Sequence, residues 1–151
     1  MLRSYGTDGF RKHLEKVGYA FRVAQEASAH ADRQGIDHCR HLTAVVRASP
    51  AFELVTKPSL GLLVFRLRPV GHELPDSELN LLNQQLHTRL TARYDVFLTQ
   101  TILQSLEREI FCIRFSIGSA NTTLEDVLAT WRVVEAEGDE VLKAWEALRA
   151  V

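Results

Sequence analysis

Two apolar segments of the sequence each contain a single arginine. The first, 61–67, reads GLLVFRL and contains Arg66, and the second, 110–118, reads IFCIRFSIG and contains Arg114. A guanidinium stays charged at any physiological pH, so within an apolar strand it must reach solvent, a carboxylate or backbone carbonyls. Both arginines are therefore candidate contacts to another domain or to an acidic ligand.

Structural pairing is the competing interpretation for each arginine. For Arg114 the internal partners would be an acid or backbone carbonyls beneath the helix that begins near Thr122, and structural or interdomain pairing is favoured over substrate contact. For Arg66 a partly exposed sheet face, where the guanidinium reaches solvent, would explain the charged residue. Asn121 is a third candidate, because the turn 118–122 could bind an anion through its amides, although an ordinary capped turn also explains it.

Other chemistries have weaker support in the sequence. Potential metal ligands cluster between 30 and 41, at His30, Asp37, His38, Cys39 and His41. Their spacing matches no standard zinc pattern, so a solvated segment without a metal is predicted. Cys39 and Cys112 are too sparse for a disulfide framework and are predicted to be free thiols. The serines lack a nucleophile motif, which gives hydrolysis no support.

Composition narrows the classes of protein. The chain has 151 residues, of which 46% are hydrophobic and 25% charged, as in one ordinary globular domain. The formal net charge of -1 comes from interspersed acids and bases, so neither a nucleic-acid nor a membrane-surface partner is predicted. No apolar run approaches the roughly 20 residues of a membrane span, and no secretory signal is evident, so a cytoplasmic location is expected.

Apolar residues recur at intervals of three and four in four segments, which predicts four helices. The predicted helices cover 10–31, about 36–48, a segment opened by Pro75, and a long segment after Thr122. Between the first two, the polar stretch near 28–41 predicts a mobile loop or an insertion, with Gly35 as a helix stop.

The last helix carries further local signals. Thr122 and Glu125 match a capping box, and Gly138 predicts a bend or break. Trp131 and Trp145 fall on its apolar stripe, which favours core packing over ligand stacking.

Alternating or apolar runs predict four strands, at 52–56, 61–68, 94–103 and 110–118. The predicted order ααββαββα indicates an α+β two-layer sandwich with a mostly antiparallel four-stranded sheet and helices on one face. Residues 1–50 would form a helical linker segment and residues 51–151 the α+β domain.

Several segments resemble one enzyme family in the same order along the chain. They are Arg3-Ser4-Tyr5-Gly6, the 61–67 run as "G-L-x-x-F-R-L", the 113–117 run as "L-R-F-A-I", Thr122-Thr123 and Trp131. Together they resemble the C-terminal small domain of the pyridoxal phosphate-dependent group II decarboxylases, the aromatic L-amino acid decarboxylase family. The resemblance implies the small-domain fold of fold-type I pyridoxal phosphate enzymes and, in complete relatives, conversion of an amino acid to an amine and carbon dioxide.

The resemblance also implies what this chain lacks. Its lysines are Lys12, Lys16, Lys57 and Lys143, and none has the His-Lys context in which the family forms a Schiff base with its cofactor. No catalytic or cofactor-binding residue is therefore predicted, no bound pyridoxal phosphate is expected, and the chain alone is expected to be inactive. The implied partners are a large pyridoxal phosphate-binding domain or second subunit, with homo-oligomer contacts. The alternative is a stand-alone α+β interaction or regulatory module, and the sequence does not select a substrate.

Overall fold

The computed structural model describes residues 29–30, 32–105 and 107–150. Helix α1 occupies residues 32–48, with 29–30 also helical. The other elements, in chain order, are β1 (Phe52–Leu54), β2 (Leu62–Leu67), α2 (Asp76–Thr91), β3 (Thr99–Gln104), β4 (Glu109–Ser116) and α3 (Leu124–Arg149). The sheet has the order β1-β2-β4-β3 and every neighbouring pair is antiparallel. The predicted α+β class is confirmed; the first predicted helix, 10–31, lies almost wholly outside the described residues.

One face of the sheet packs against the helices and forms the core. Because strand side chains alternate, β2 and β4 each send every second residue to this face. Those residues are Leu63, Phe65 and Leu67 of β2 and Phe111, Ile113 and Phe115 of β4. Leu42 and Val46 of α1, and Leu82, Leu86 and Leu90 of α2, pack on the same cluster.

Trp131 lies at the centre of this core and is 1% exposed. Its ring meets Phe52 and Phe65 edge-to-face, with centroid separations of 5.0 and 5.1 Å. Such aromatic pairs contribute about 0.5–1.5 kcal/mol each beyond their buried area. The predicted core role of Trp131 is confirmed, and Trp145 packs at the edge of the same cluster.

The predicted loop near 28–41 is wrong where the structure describes it, because α1 occupies that stretch. Gly35 does not end a helix. A Cβ at Gly35 would lie 2.6 Å from the carbonyl oxygen of Ile117, so only glycine lets α1 approach the end of the sheet this closely. A Cβ at Gly61 would also lie 2.6 Å from this carbonyl oxygen, and the φ of Gly61 is +77°.

Gly138 likewise provides space for close packing and does not interrupt its helix. Helix α3 is continuous from Leu124 to Arg149. A Cβ at Gly138 would lie 2.7 Å from Cζ of Phe52, a separation that packed side chains do not tolerate. The predicted break at Gly138 is therefore wrong.

Two predicted boundaries also shift. The capping box at the start of α3 uses Thr123 and Asp126, one residue later than predicted: the Asp126 N–H donates to Thr123 Oγ1 at 3.1 Å and the Thr123 N–H donates to Asp126 Oδ2 at 2.8 Å. Strand β3 begins at Thr99, and not at Tyr94, because residues 92–98 form a separate loop.

Two asparagines of α2 bridge a gap between neighbouring strands. The β2–β4 register ends at Phe65 and Ile113, and its continuation would pair Leu67 with Phe111. Instead, Asn83 accepts from the Leu67 N–H at 2.7 Å and donates to the Leu67 carbonyl at 2.9 Å. Asn80 accepts from the Phe111 N–H and donates to the Glu109 carbonyl, both at 2.8 Å. The two side chains thus replace ladder hydrogen bonds that the diverging strands no longer make.

Replacing Asn83 with alanine should destabilise the fold strongly. Asn83 is fully buried, so the change leaves the N–H and carbonyl of Leu67 without partners, at about 1–3 kcal/mol for each unsatisfied group. Urea unfolding at a constant m-value measures the loss. The exposed Gln85 on the same helix is the control, since Gln85→Ala should change stability by less than about 0.5 kcal/mol. Equal losses for the two variants would contradict this account.

Candidate functional site

The face of the sheet opposite the core carries the arginines singled out in the sequence. Val64 and Arg66 of β2 alternate with the core residues, as do Cys112 and Arg114 of β4. Val64 and Cys112 are 6% and 0% exposed, yet neither belongs to the core cluster beneath the helices. We call the side of the sheet defined by these four residues the outer face.

Arg66 is buried, which corrects the prediction of a partly exposed position. The residue is only 5% exposed. Its Nε donates to Oε1 of Glu53 on the neighbouring strand, and its NH1 donates to Oδ1 of Asp76 at 2.9 Å. A buried guanidinium is tolerable because two carboxylates compensate its charge.

The same two carboxylates also bind more exposed arginines. Arg68 donates to Glu53 at 2.7 Å, and Arg108 donates to both oxygens of Asp76 at 2.7 and 3.1 Å. Hydrogen bonds from Arg108 and Arg66 lower the pKa of Asp76 to about 2. Burial alone would raise the pKa of Glu53, but the hydrogen bonds and charges of Arg68 and Arg66 outweigh it and lower that pKa.

This arginine–carboxylate network joins four parts of the chain. Glu53 belongs to β1, Arg66 to β2, Asp76 is the first residue of α2 and Arg108 precedes β4. An acidic residue in the first turn of a helix also interacts favourably with the helix dipole. The network therefore fixes the start of α2 against the sheet, and two of the Arg66 nitrogens are committed to it.

Arg114 is in a different situation from Arg66. It is half-buried, and its register neighbours are Val64 on β2 and Thr99 on β3. Within the described part of the chain its guanidinium has no hydrogen bond or ion pair, so the predicted acid or carbonyl partners are not seen there. Arg66 lies diagonally across from it, at a spacing of about 7–8 Å between such backbone positions.

Asn121 is not brought together with the two arginines by any contact in the structure. It is exposed in the turn before α3, where its backbone N–H points to Oγ of Ser119 at 3.4 Å. The structure thus gathers Arg66 and Arg114 on the outer face and leaves Asn121 in a separate turn.

Sequence reasoning missed the carboxylates of the network and a pair of exposed aromatics. Tyr94 and Phe97, which were assigned to a strand, lie fully exposed in the loop before β3. Arg93 holds that loop in place, since it binds both oxygens of Asp95 at 2.9 and 2.8 Å and reaches Glu137 of α3 at 3.2 Å. Pro75-Asp76 indicated the start of α2, but no local pattern marked Asp76 or Glu53 as a partner of Arg66, and none marked the loop before β3.

The cysteines and histidines form no reactive site in the described residues. Cys39 and Cys112 are free thiols, as predicted, and both are buried, although the sequence placed Cys39 in a solvated stretch; burial raises the pKa of each thiol. Within 29–30, 32–105 and 107–150, no three His, Cys, Asp or Glu side chains lie close enough to hold a metal ion. Among the helices of those ranges, none has the length and hydropathy to cross a membrane.

The described lysines do not fit a pyridoxal phosphate site. Lys57 is exposed in the turn between β1 and β2. Lys143 is exposed on α3, and its hydrogen bond to Glu140 at 2.8 Å raises its pKa, which favours the unreactive ammonium. Neither amine lies in an enclosed pocket where an aldehyde could be held.

Comparison with known proteins shows similarity to amino acid decarboxylases. No family model matches the chain. Histidine decarboxylase of Drosophila melanogaster is 31% identical over 143 residues, which are 95% of this chain and 13% of that protein. Tyrosine decarboxylase of Papaver somniferum is 22% identical over 152 positions, covering 95% of this chain and 25% of that protein. The chain thus spans between an eighth and a quarter of the length of these relatives.

A solved structure shows the same fold. Tryptophan decarboxylase of Catharanthus roseus, in complex with L-tryptophan, matches with a TM-score of 0.64 and 24% identity over 74% of this chain and 22% of that chain. The fold is therefore that of the C-terminal domain of pyridoxal phosphate-dependent decarboxylases. Over almost its whole length the chain is similar to the C-terminal part of amino acid decarboxylases, and it has the fold of their small domain.

Removing the buried arginine should cost far more stability than removing its exposed neighbour. Arg66→Ala removes the buried guanidinium between Glu53 and Asp76, which keep Arg68 and Arg108 as partners, and a lost hydrogen bond to a charged group costs about 1.5–3 kcal/mol. Arg68→Ala, whose side chain is 50% exposed, should cost less than about 1 kcal/mol. Urea unfolding of both variants measures the difference, and similar losses would show that Arg66 is not the structural centre of the network.

The network should also make stability depend on pH in the acid range. The folded-state pKa of Asp76, about 2, lies below the ordinary value of 3.8, so its carboxylate stabilises the fold above about pH 4. That contribution is lost as the pH falls through about 2. The difference in unfolding free energy between wild type and Asp76→Asn should therefore shrink from pH 5 to pH 2. Gln85→Ala, at an exposed position on α2 without a titratable side chain, is the control, and its difference from wild type should not change with pH.

Proposed function

We propose that this chain acts as the small domain of a pyridoxal phosphate-dependent amino acid decarboxylase and is catalytically incomplete by itself. The observation that carries the proposal is the match of almost the whole chain to a limited part of longer decarboxylases. The two lysines in the described residues support catalytic incompleteness, since Lys57 and Lys143 are both exposed and neither is suited to hold the cofactor. The reaction would then need groups from a large domain or a second subunit.

The outer face is the surface proposed to meet that large domain. The described helices pack on the opposite face, so within the described residues no helix of that core covers the side of the sheet that carries Arg66 and Arg114. Arg114 supports this assignment, because a half-buried guanidinium without an internal partner in the described residues is suited to an interdomain carboxylate or to the substrate carboxylate. Arg66 would support the same surface indirectly, by holding β1, β2 and α2 together. Asn121, in the separate turn before α3, stays a candidate contact.

The resemblance also extends the proposal to assembly and location. Homo-oligomer contacts and a cytoplasmic location are proposed on that ground, as in the enzyme family. The substrate is left open, since the relatives are named for histidine, tyrosine and tryptophan.

A stand-alone interaction module is the second candidate function. It is favoured by the closed core around Trp131, which the chain forms from its own residues. Such a module would work without a large domain and without the cofactor.

The proposal is tested in a chimera of the Drosophila histidine decarboxylase whose 143 matched residues are replaced by this chain. We expect the chimera to bind the cofactor and to release carbon dioxide from histidine. Arg114→Ala should lower its kcat/KM by about tenfold or more, equivalent to about 1.4 kcal/mol. Arg132→Ala, at an exposed position paired with Glu125 at 3.0 Å, is the matched control and should stay within about twofold.

The isolated chain is the second arm of the same experiment. With pyridoxal phosphate and borohydride it should give no stoichiometric lysine adduct and should release no carbon dioxide. A stoichiometric adduct with turnover would contradict catalytic incompleteness. A folded chimera that neither binds cofactor nor turns over would favour the stand-alone module, and an active chimera insensitive to Arg114→Ala would remove Arg114 from the site.

A further inference from the structure

Strand β3 forms one edge of the sheet and lacks the usual protection of an edge strand. Its six residues read TQTILQ and include no charge, proline or glycine. Edge strands are normally short, charged, bulged or interrupted by proline, since their unpaired backbone groups attract other strands. The opposite edge follows that rule: β1 has three residues, carries Glu53 and lies between Pro50 and Pro58.

The hydrogen bonds of α2 identify the backbone groups of β3 that point outward. Asn80 binds the Glu109 carbonyl and the Phe111 N–H, so these groups of β4 point away from β3. Because backbone groups alternate in direction, the intervening β4 residues bond to β3, and their register partners are Thr99, Thr101 and Leu103. The N–H and carbonyl groups of Gln100, Ile102 and Gln104 therefore point away from the sheet.

We propose that β3 is an edge-to-edge interface between two copies of this chain, paired antiparallel about a two-fold axis at Ile102. In this register Ile102 faces Ile102 of the second copy, and Gln100 faces Gln104 of the second copy. The three outward-pointing residues of each strand then exchange six backbone hydrogen bonds. Two four-stranded sheets become one sheet of eight strands, with both sets of helices on the same side.

The composition of β3 favours a second copy of this chain as the partner that pairs with it. Any residue on a two-fold axis meets itself, so a charge there would meet a like charge. β3 has no charge to repel its own copy, and its outward register is symmetric about a β-branched residue. The side chain of Ile102 is 48% exposed, and pairing would cover it with the identical side chain. Among the described elements, helix α2 lies over β2 and β4, and no strand other than β4 pairs with β3.

The loop before β3 extends the same edge. Tyr94 and Phe97 are fully exposed, and aromatic residues are enriched in protein interfaces. The bonds of Arg93 to Asp95 and Glu137 hold the loop in place, so little ordering is required on binding. The inference uses only β3 and its loop, and it holds whether or not the chain serves a decarboxylase.

Sedimentation velocity of the 151-residue chain over a concentration series tests the proposal. Wild type should form a dimer as concentration rises. Ile102→Lys and Ile102→Glu should each weaken dimerisation at least tenfold, because like charges then meet on the axis. An equimolar mixture of the two variants should restore the dimer, since residue 102 pairs with residue 102. Leu81→Lys, at a position 59% exposed on α2, is the matched control and should dimerise as wild type does.

Amide hydrogen exchange of the wild type provides a readout that needs no variant. Protection of the amides of Gln100, Ile102 and Gln104 should rise with protein concentration, while the exchange of the exposed loop around Leu60 should not change. A wild-type monomer at all concentrations, an open-ended aggregate, or a dimer unaffected by Ile102→Lys would each overturn the proposal. Protection that rises with concentration at other amides, but not at these three, would also overturn it.

Discussion

The charge of Arg66 is the constraint on which the arrangement of the sheet depends. A guanidinium near the end of β2 cannot be buried alone, so the chain must bring carboxylates to it. Glu53 arrives from β1 through the hairpin register, and Asp76 arrives from the first turn of α2. Satisfying one charge thus sets the position of the edge strand and the start of the helix together.

Helix α2, once positioned at its first turn, completes the sheet further along. Asn80 and Asn83 lie one and two turns beyond Asp76 on the side that faces the strands. They hold β2 and β4 at a separation where the strands no longer bond directly. The ion pairs and the asparagine bridges are therefore parts of one arrangement, in which a helix supplies both charge and hydrogen bonds to a sheet that diverges.

Sequence reasoning predicted the parts of this fold that depend on periodicity and missed those that depend on tertiary contact. Alternation in β2 and β4 and the leucine spacing of α2 are local patterns, and the structure confirms the strands and the helix they indicate. Gly35 and Gly138 were interpreted by their low helix propensity, but both lie within helices, at points where a neighbouring segment approaches too closely for a Cβ. Propensity is a weak guide where packing decides.

The candidate site was predictable to a similar extent. The positions of Arg66 and Arg114 on one face follow from the spacing within two recognisable strands. Their different environments do not, because Glu53 and Asp76 are 13 and 10 residues from Arg66 in sequence and nothing local marks them as its partners.

The two arginines of the outer face have different environments, although each lies within an otherwise apolar strand. Arg66 has its carboxylates within the chain, so its charge is used to build the fold and is not available for recognition. Arg114 lies on the adjacent strand of the same face, and within the described residues no carboxylate pairs with it. Two arginines on neighbouring strands therefore differ because carboxylates from β1 and α2 reach only Arg66 among the described contacts.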